Sequence, residues 1–159
     1  MIPEEITIRE FNRNDAKDIV KLHSESSENF EEEEITEDFI LNIANRNDFR
    51  LFVITLRGRV IGFIGVLFHI NVGRAEIGPI CIHSIYRGRG IGTRLLDHAM
   101  EFLRQRGIRR VIVRIKSENT RALMFFKKNG FIEEGYFREY TRRGEDVIQL
   151  RRFIWECCV

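Results

Sequence analysis

Between residues 82 and 93 the chain runs Ile-His-Ser-Ile-Tyr-Arg-Gly-Arg-Gly-Ile-Gly-Thr, with glycine at alternate positions 88, 90 and 92. Glycine permits tight backbone turns and leaves no β-carbon between the amides and a ligand. Where a strand becomes a helix through such a loop, the free N–H groups and the positive end of the helix dipole make an anion site. A pyrophosphate suits the segment Gly88 to Thr93, with Arg87 and Arg89 beside it to supply charge-assisted hydrogen bonds. A Walker loop would end in Gly-Lys-Ser/Thr, which is absent. A dinucleotide fingerprint would carry glycine where Thr93 stands and would follow an early strand of a parallel sheet. The bare Gly-x-Gly-x-Gly also fits a glycine-rich turn with its basic residues in solvent.

Hydrophobic periodicity outlines the elements that must hold this loop. Ile6, Ile8 and Phe11 alternate with polar residues as a first strand. Asn14 or Asp15 then caps a helix with Ala16, Ile19, Val20 and His23 on its apolar face, and Thr36 caps another with Phe39, Ile40, Ile43 and Ala44. Residues 51–56 and 60–68 are β-rich runs joined at Arg57-Gly58-Arg59, a hairpin signal, and a third run over 75–85 completes an antiparallel meander. Ile91, Leu95, Leu96, Ala99, Phe102 and Leu103 recur at helical spacing until Gly107. Residues 109–115 read as a strand, Ser117 or Asn119 starts a helix that ends at Gly130, and strands over 131–141 and 147–155 turn at Arg143-Gly144. The predicted order is β-α-α-β-β-β-α-β-α-β-β, an α+β fold around one twisted sheet.

With 159 residues, 43% of them hydrophobic and 31% charged, the chain has the length and composition of one globular domain spanning residues 1–159. The longest apolar stretch, 60–70, falls far short of the roughly 20 residues that a membrane helix needs, and His69 interrupts it. The opening Met-Ile-Pro-Glu-Glu lacks the basic and apolar regions of a signal peptide, so a cytoplasmic location and no membrane partner are expected. Cys81, Cys157 and Cys158 form neither a disulfide framework nor a metal-ligand spacing, and no metal is expected. A formal net charge of +2 is too small to argue for nucleic acid. The run Arg104, Arg106, Arg109 and Arg110 reads as a solvated helix end and strand start. Acidic residues gather at Glu28 and at Glu31 to Glu34.

The letters from Ala75 to Phe131 resemble those of the GCN5-related N-acetyltransferase (GNAT) family. Arg87, Gly90 and Gly92 match its phosphate motif Gln/Arg-x-x-Gly-x-Gly/Ala, and Asn119-Thr-Arg-Ala122 leads to Asn129-Gly130-Phe131 as the family's Asn-x-x-Ala leads to Gly-Phe. The predicted element order is similar too, so the resemblance covers nearly the whole chain and implies a mixed, mostly antiparallel sheet flanked by helices. It implies acetyl-CoA as co-substrate and an amine as acceptor: a protein N-terminus, a lysine, a polyamine or another small amine. The backbone around Ile80, Cys81 and Ile82 would line the pantetheine arm, with the Ile80 N–H near the thioester oxygen. Arg87, Gly88, Arg89, Gly90, Ile91, Gly92 and Thr93 would hold the pyrophosphate, and Asn119 and Phe126 would lie along CoA. Pro79 fits a strand bulge or edge.

Glu76 occupies the position of the catalytic glutamate in the family's histone-modifying members, so the resemblance makes it the base that takes the amine's proton. Histidine is a common general acid or base, but His83 reads here as a strand-end residue. Many relatives have a tyrosine where this chain has Phe126, and phenylalanine cannot protonate a leaving thiolate. Tyr136, Tyr140 or solvent would then serve. The missing tyrosine also suits a second class, a non-catalytic module that senses acetyl-CoA, and the arginines leave a nucleic-acid-binding domain as a third. The acidic run borders the acceptor channel in related acetyltransferases, which would favour a cationic acceptor, and the oligomeric state stays open, a homodimer included.

Overall fold

The structure, a computed structural model, describes residues 5–30 and 34–155. Its strands are β1 (Ile6–Glu10), β2 (Phe49–Leu56), β3 (Arg59–His69), β4 (Arg74–Ile82), β5 (Arg110–Lys116), β6 (Ile132–Phe137) and β7 (Val147–Phe153). The helices are α1 (Ala16–Glu25), α2 (Glu37–Ala44), α3 (Ile91–Gln105) and α4 (Thr120–Lys128), so the order expected from sequence is the one observed. Seven strands form one sheet in the order β1-β2-β3-β4-β5-β7-β6. Every pairing is antiparallel except β4 with β5.

Strand alternation sorts the sheet's two faces. Val111, Val113 and Ile115 of β5 join Leu95, Leu96, Ala99 and Leu103 of α3 and Phe126 of α4 in the larger core. On the other face Val53, Phe63 and Cys81 pack with Ile19 and Leu22 of α1 and Ile40 of α2. These helices are amphipathic, and burial of the apolar stripe supplies most of the stability of short helices like these.

Two boundaries differ from expectation. Asp15 is the residue before α1, as expected, but makes no side-chain cap there; the side-chain cap lies upstream at Asn12, whose Oδ1 accepts from the Asn14 amide, while the Asp15 carboxylate accepts from the Asn12 amide and from Arg9. A short 3-10 turn over Arg13–Asp15 precedes the α-helix, which moves the cap upstream. The last two strands are shorter than predicted because Asp146 and Glu145 gather the connecting segment into a compact loop. Asp146 accepts from the Glu139 amide, and the Glu145 carbonyl accepts from Tyr140 N–H. Elsewhere the caps fall where expected, with Thr36 accepting from Phe39 N–H and Asn119 from Ala122 N–H.

The site depends on one irregularity. β4 pairs with β5 only from Arg74↔Arg110 to Ile77↔Val113, and beyond that point the two strands part. On its other side β4 stays paired with β3 to Ile82, but four residues of β4 (Ile77 to Ile80) lie opposite three of β3 (Ile64 to Val66). The extra residue falls at Gly78-Pro79, where a proline without an N–H suits a bulge.

Candidate functional site

The parted strands open a cleft of about 340 Å³. β4 contributes Gly78, Pro79, Ile80, Cys81 and Ile82, and β5 contributes Val113, Arg114 and Ile115. Below one face lie Phe125 and Phe126 of α4, and over the other lie Ser26, Asn29 and Phe30 from the segment after α1. The cleft therefore passes from one face of the sheet to the other.

Backbone geometry sets what it can bind. His83 N–H is used on the Ile61 carbonyl at 2.8 Å. Donors alternate in direction along a strand, so the amides of Ile80 and Ile82 face the gap. At the end of β4 the cleft meets the glycine loop. Gly88 and Gly90 have φ of 77°, a left-handed conformation that costs other residues about 1–2 kcal/mol. Gly90 is the residue before α3 and has no side chain to cap it, so among the described residues no side-chain cap engages the helix's first amides.

Gly92 serves differently. A β-carbon there would lie 3.1 Å from Phe125, so its absence lets α3 and α4 close on each other. Gly88, Gly90, Gly92 and Thr93 all line the cleft. So does Arg87, whose Nε donates to the Ile82 carbonyl at 3.2 Å and whose Nη2 donates to Ser26 Oγ at 3.1 Å. It ties α1 to the loop while presenting charge.

The remaining expected residues divide. Asn119 caps α4 and lines the cleft, and Phe126 lines it although only 1% exposed, packed edge-on against Phe125 and Phe131. Ile80 and Ile82 line it with Cys81 between them, but the Cys81 side chain turns to the α1 side, where burial pushes its thiol pKa up. Ile91 is a core residue at 4% exposure, and Arg89 lies outside the cleft with its guanidinium 5.9 Å from the Tyr86 ring centroid. Glu76 also lies outside the lining, one residue before the strands part, and accepts two hydrogen bonds from Arg114 Nη1 at 3.1 and 3.0 Å.

Neither Tyr136 nor Tyr140 lines the cleft. The Tyr136 hydroxyl donates to Asp146 at 2.6 Å, a bond that raises its pKa. His83 accepts from Ile85 N–H through Nδ1, with Nε2 4.0 Å from Glu25. Of the acidic run, Glu31 to Glu33 and the Glu28 side chain lie outside the described residues, as do Cys157 and Cys158. Among the described residues no group of three or more His, Cys, Asp or Glu is arranged to hold a metal ion, and no helix is long and apolar enough to cross a membrane.

Sequence reasoning missed Ser26, Asn29, Phe30 and Arg114. Arg114 left a signal, a charged residue within the apolar run Val-Ile-Val-Arg-Ile, whereas the other three sit in a connection without periodicity.

A seven-stranded sheet that parts between β4 and β5 beside a glycine-rich helix start is the architecture that the comparisons recognise. The chain belongs to the acetyltransferase (GNAT) family, whose sequence profile matches residues 16–131. The uncharacterized N-acetyltransferase MJ1207 of Methanocaldococcus jannaschii is 28% identical over 146 residues, covering 86% of this chain and 65% of that protein. The N-alpha-acetyltransferase RimI of Mycobacterium tuberculosis is 33% identical over 101 residues, covering 60% of each. The chain thus matches somewhat less than two thirds of the length of either relative. Among solved structures, spermidine N-acetyltransferase from Vibrio cholerae in complex with CoA and spermine superposes with a TM-score of 0.82 at 22% identity, covering 95% of this chain and 96% of that one.

Proposed function

We propose that this chain, as one domain over residues 1–159, transfers the acetyl group of acetyl-CoA to an amine in the cytoplasm. One observation carries the reading: the gap between β4 and β5, with the Ile80 and Ile82 amides facing it, runs directly into an uncapped glycine helix start. Acetyl-CoA has the matching parts, an extended amide-bearing arm that ends in a thioester at one end and in phosphates at the other. No aspartate or glutamate lines the cleft among the described residues, while Arg87, Arg121 and Lys128 do, which suits a polyanion.

When bound, acetyl-CoA supplies an acyl carbon activated by a thiol leaving group. The chain's own residues do the rest. The Ile80 amide donates toward the thioester oxygen, where negative charge develops during attack. The amine must attack as its free base, and Glu76, beside the point where the strands part, is the carboxylate proposed to take its proton through water. With Phe126 in place of a hydroxyl and Tyr136 engaged by Asp146, solvent is the proton source for the leaving thiolate. Protein N-termini and polyamines enter as acceptor classes through the names of the similar proteins, beside lysine and other small amines. The acidic run at Glu28 and Glu31 to Glu34 favours a cationic acceptor.

Release of free thiol from acetyl-CoA, measured over a panel of amines, peptides and polyamines, tests the reading directly. Turnover with at least one class is expected. Absence of CoA binding by calorimetry would remove it. A sensor that holds acetyl-CoA without turnover is the second reading, favoured by the lack of any tyrosine or carboxylate among the cleft's described lining residues. Tight CoA binding with no thiol release from any amine selects the sensor.

A further inference from the structure

Arg114 carries a charge that a bound polyanion would not use. Val113 is the last β5 residue paired with β4, so Arg114 is the first beyond the point where the strands part. The glycine loop lies at the other end of the gap: the stretch from Gly78 to Ile82 alone is roughly 13 Å of extended strand. That exceeds the screening length of about 8 Å at physiological ionic strength, so phosphates at the loop would do little to neutralise Arg114. Alternation along β5 also turns Arg114 to the face opposite α3 and α4, because its neighbours Val113 and Ile115 are buried on their side. This is the face on which Asn29 and Phe30 line the cleft.

The guanidinium is held in place. Nη1 donates to both oxygens of Glu76, and Nε donates to Gln149 Oε1 at 3.1 Å. Gln149 is fixed in turn by donating to Glu134 at 2.6 Å, and Glu134 accepts from Arg110. The Tyr140 ring centroid lies 6.0 Å from the guanidinium carbon. Nη2 has no hydrogen-bond partner among the described residues. Arg114 is thus a guanidinium whose position is set by two neighbours, paired with Glu76 and with one donor group to spare, lining the cleft just past the point where the strands part.

Glu76 balances the guanidinium's charge, so what Arg114 offers an acceptor is the unused Nη2 donor group, whose strongest partner is a carboxylate. We infer that Arg114 reads the acceptor, and that the acceptor is an amine with a carboxylate a few bonds from its nitrogen. The inference rests on the acetyl-transfer reading above and runs against the cationic acceptor suggested by the acidic run. Two sources share this chemistry: the α-carboxylate of a free amino acid, and an acidic side chain near the N-terminus of a peptide.

Matched acceptor pairs test it and separate the sources. Alanine against alaninamide reads an α-carboxylate, and the amidated tripeptide Ala-Glu-Ala against Ala-Gln-Ala reads a side-chain carboxylate. The carboxylate member of one pair should be favoured by about tenfold or more in kcat/KM, as expected for a charge-assisted hydrogen bond. Arg114→Gln should abolish that preference, and Arg114→Lys should retain part of it, with circular dichroism and thermal unfolding as the check on folding. Parity in both pairs overturns the inference, as does a preference that survives Arg114→Gln, or spermidine outperforming all four. If Arg114→Gln does not fold, the wild-type ratios decide alone. If CoA binds but no amine releases thiol, the acetyl-transfer reading fails. Affinities of the four compounds for CoA-loaded protein then decide Arg114, parity again overturning the inference.

Discussion

Glu76 and Arg114 act on each other, so a change at one is felt at both. If the proton of the amine leaves by way of Glu76, Glu76→Gln should lower kcat by about 10²–10⁴-fold while CoA affinity stays the same. If Glu76 only holds Arg114, the loss should appear in the acceptor's KM with kcat nearly retained. Steady-state kinetics at saturating acetyl-CoA separate these, and kcat unchanged in the folded variant would remove Glu76 as the base. Tyr136 gives the opposite contrast. Its hydroxyl already donates to Asp146, which raises its pKa and makes it a weaker acid. Tyr136→Phe should therefore change kcat by no more than about twofold, against the far larger loss that follows removal of a general acid.

At the scale of elements, the three glycines of the loop have different duties. Gly90→Val places a branched side chain where φ is 77°, although a β-carbon there would meet nothing within 4 Å. Gly92→Val keeps an ordinary backbone but drives a β-carbon against Phe125 and pushes α3 from α4. Both should weaken CoA binding in calorimetry, but only Gly92→Val should be rescued by shrinking its neighbour in the double variant with Phe125→Leu. Wild-type affinity in both single variants would count against this loop as the phosphate site. The loop was legible in the sequence because glycine and helix-start chemistry are local. Asn119 was legible for the same reason, as a cap. Arg114 was not: strand periodicity tells which face a residue takes, but says nothing of a gap on its flank. The Asn12 cap was missed because an intervening 3-10 turn lies upstream of where the α-helical pattern begins.

On the scale of the whole molecule, β1 is anchored to the chain leading into α1 by Arg9 and the buried Asp15. Burial pushes the Asp15 carboxyl up, but hydrogen bonds from Arg9 and the Asn12 amide, with the charge of Arg9, outweigh it and hold its pKa below the ordinary value. A carboxyl with a depressed folded pKa contributes its full stability above the unfolded value of about 3.9. That contribution is lost as pH falls from there through the folded pKa. Asp15→Asn should cost about 1–3 kcal/mol at neutral pH by urea unfolding. The difference from wild type should shrink below pH of about 4. A gap that persists undiminished at pH 2 would show that packing, not charge, carries the effect.

The parting of β4 from β5 has a consequence for solvent exchange. A strand in the middle of a sheet ordinarily has every amide protected, but here only one side of β4 past the bulge is paired. The amides of Cys81 and His83, turned to β3, should exchange hydrogen for deuterium slowly, while those of Ile80 and Ile82, turned to the gap, exchange quickly. Protection should therefore alternate residue by residue within one strand, a pattern that local fraying cannot produce. An extended ligand in the gap would pair as a substitute strand. Added CoA should then slow the Ile80 and Ile82 amides selectively and make the protection of β4 uniform.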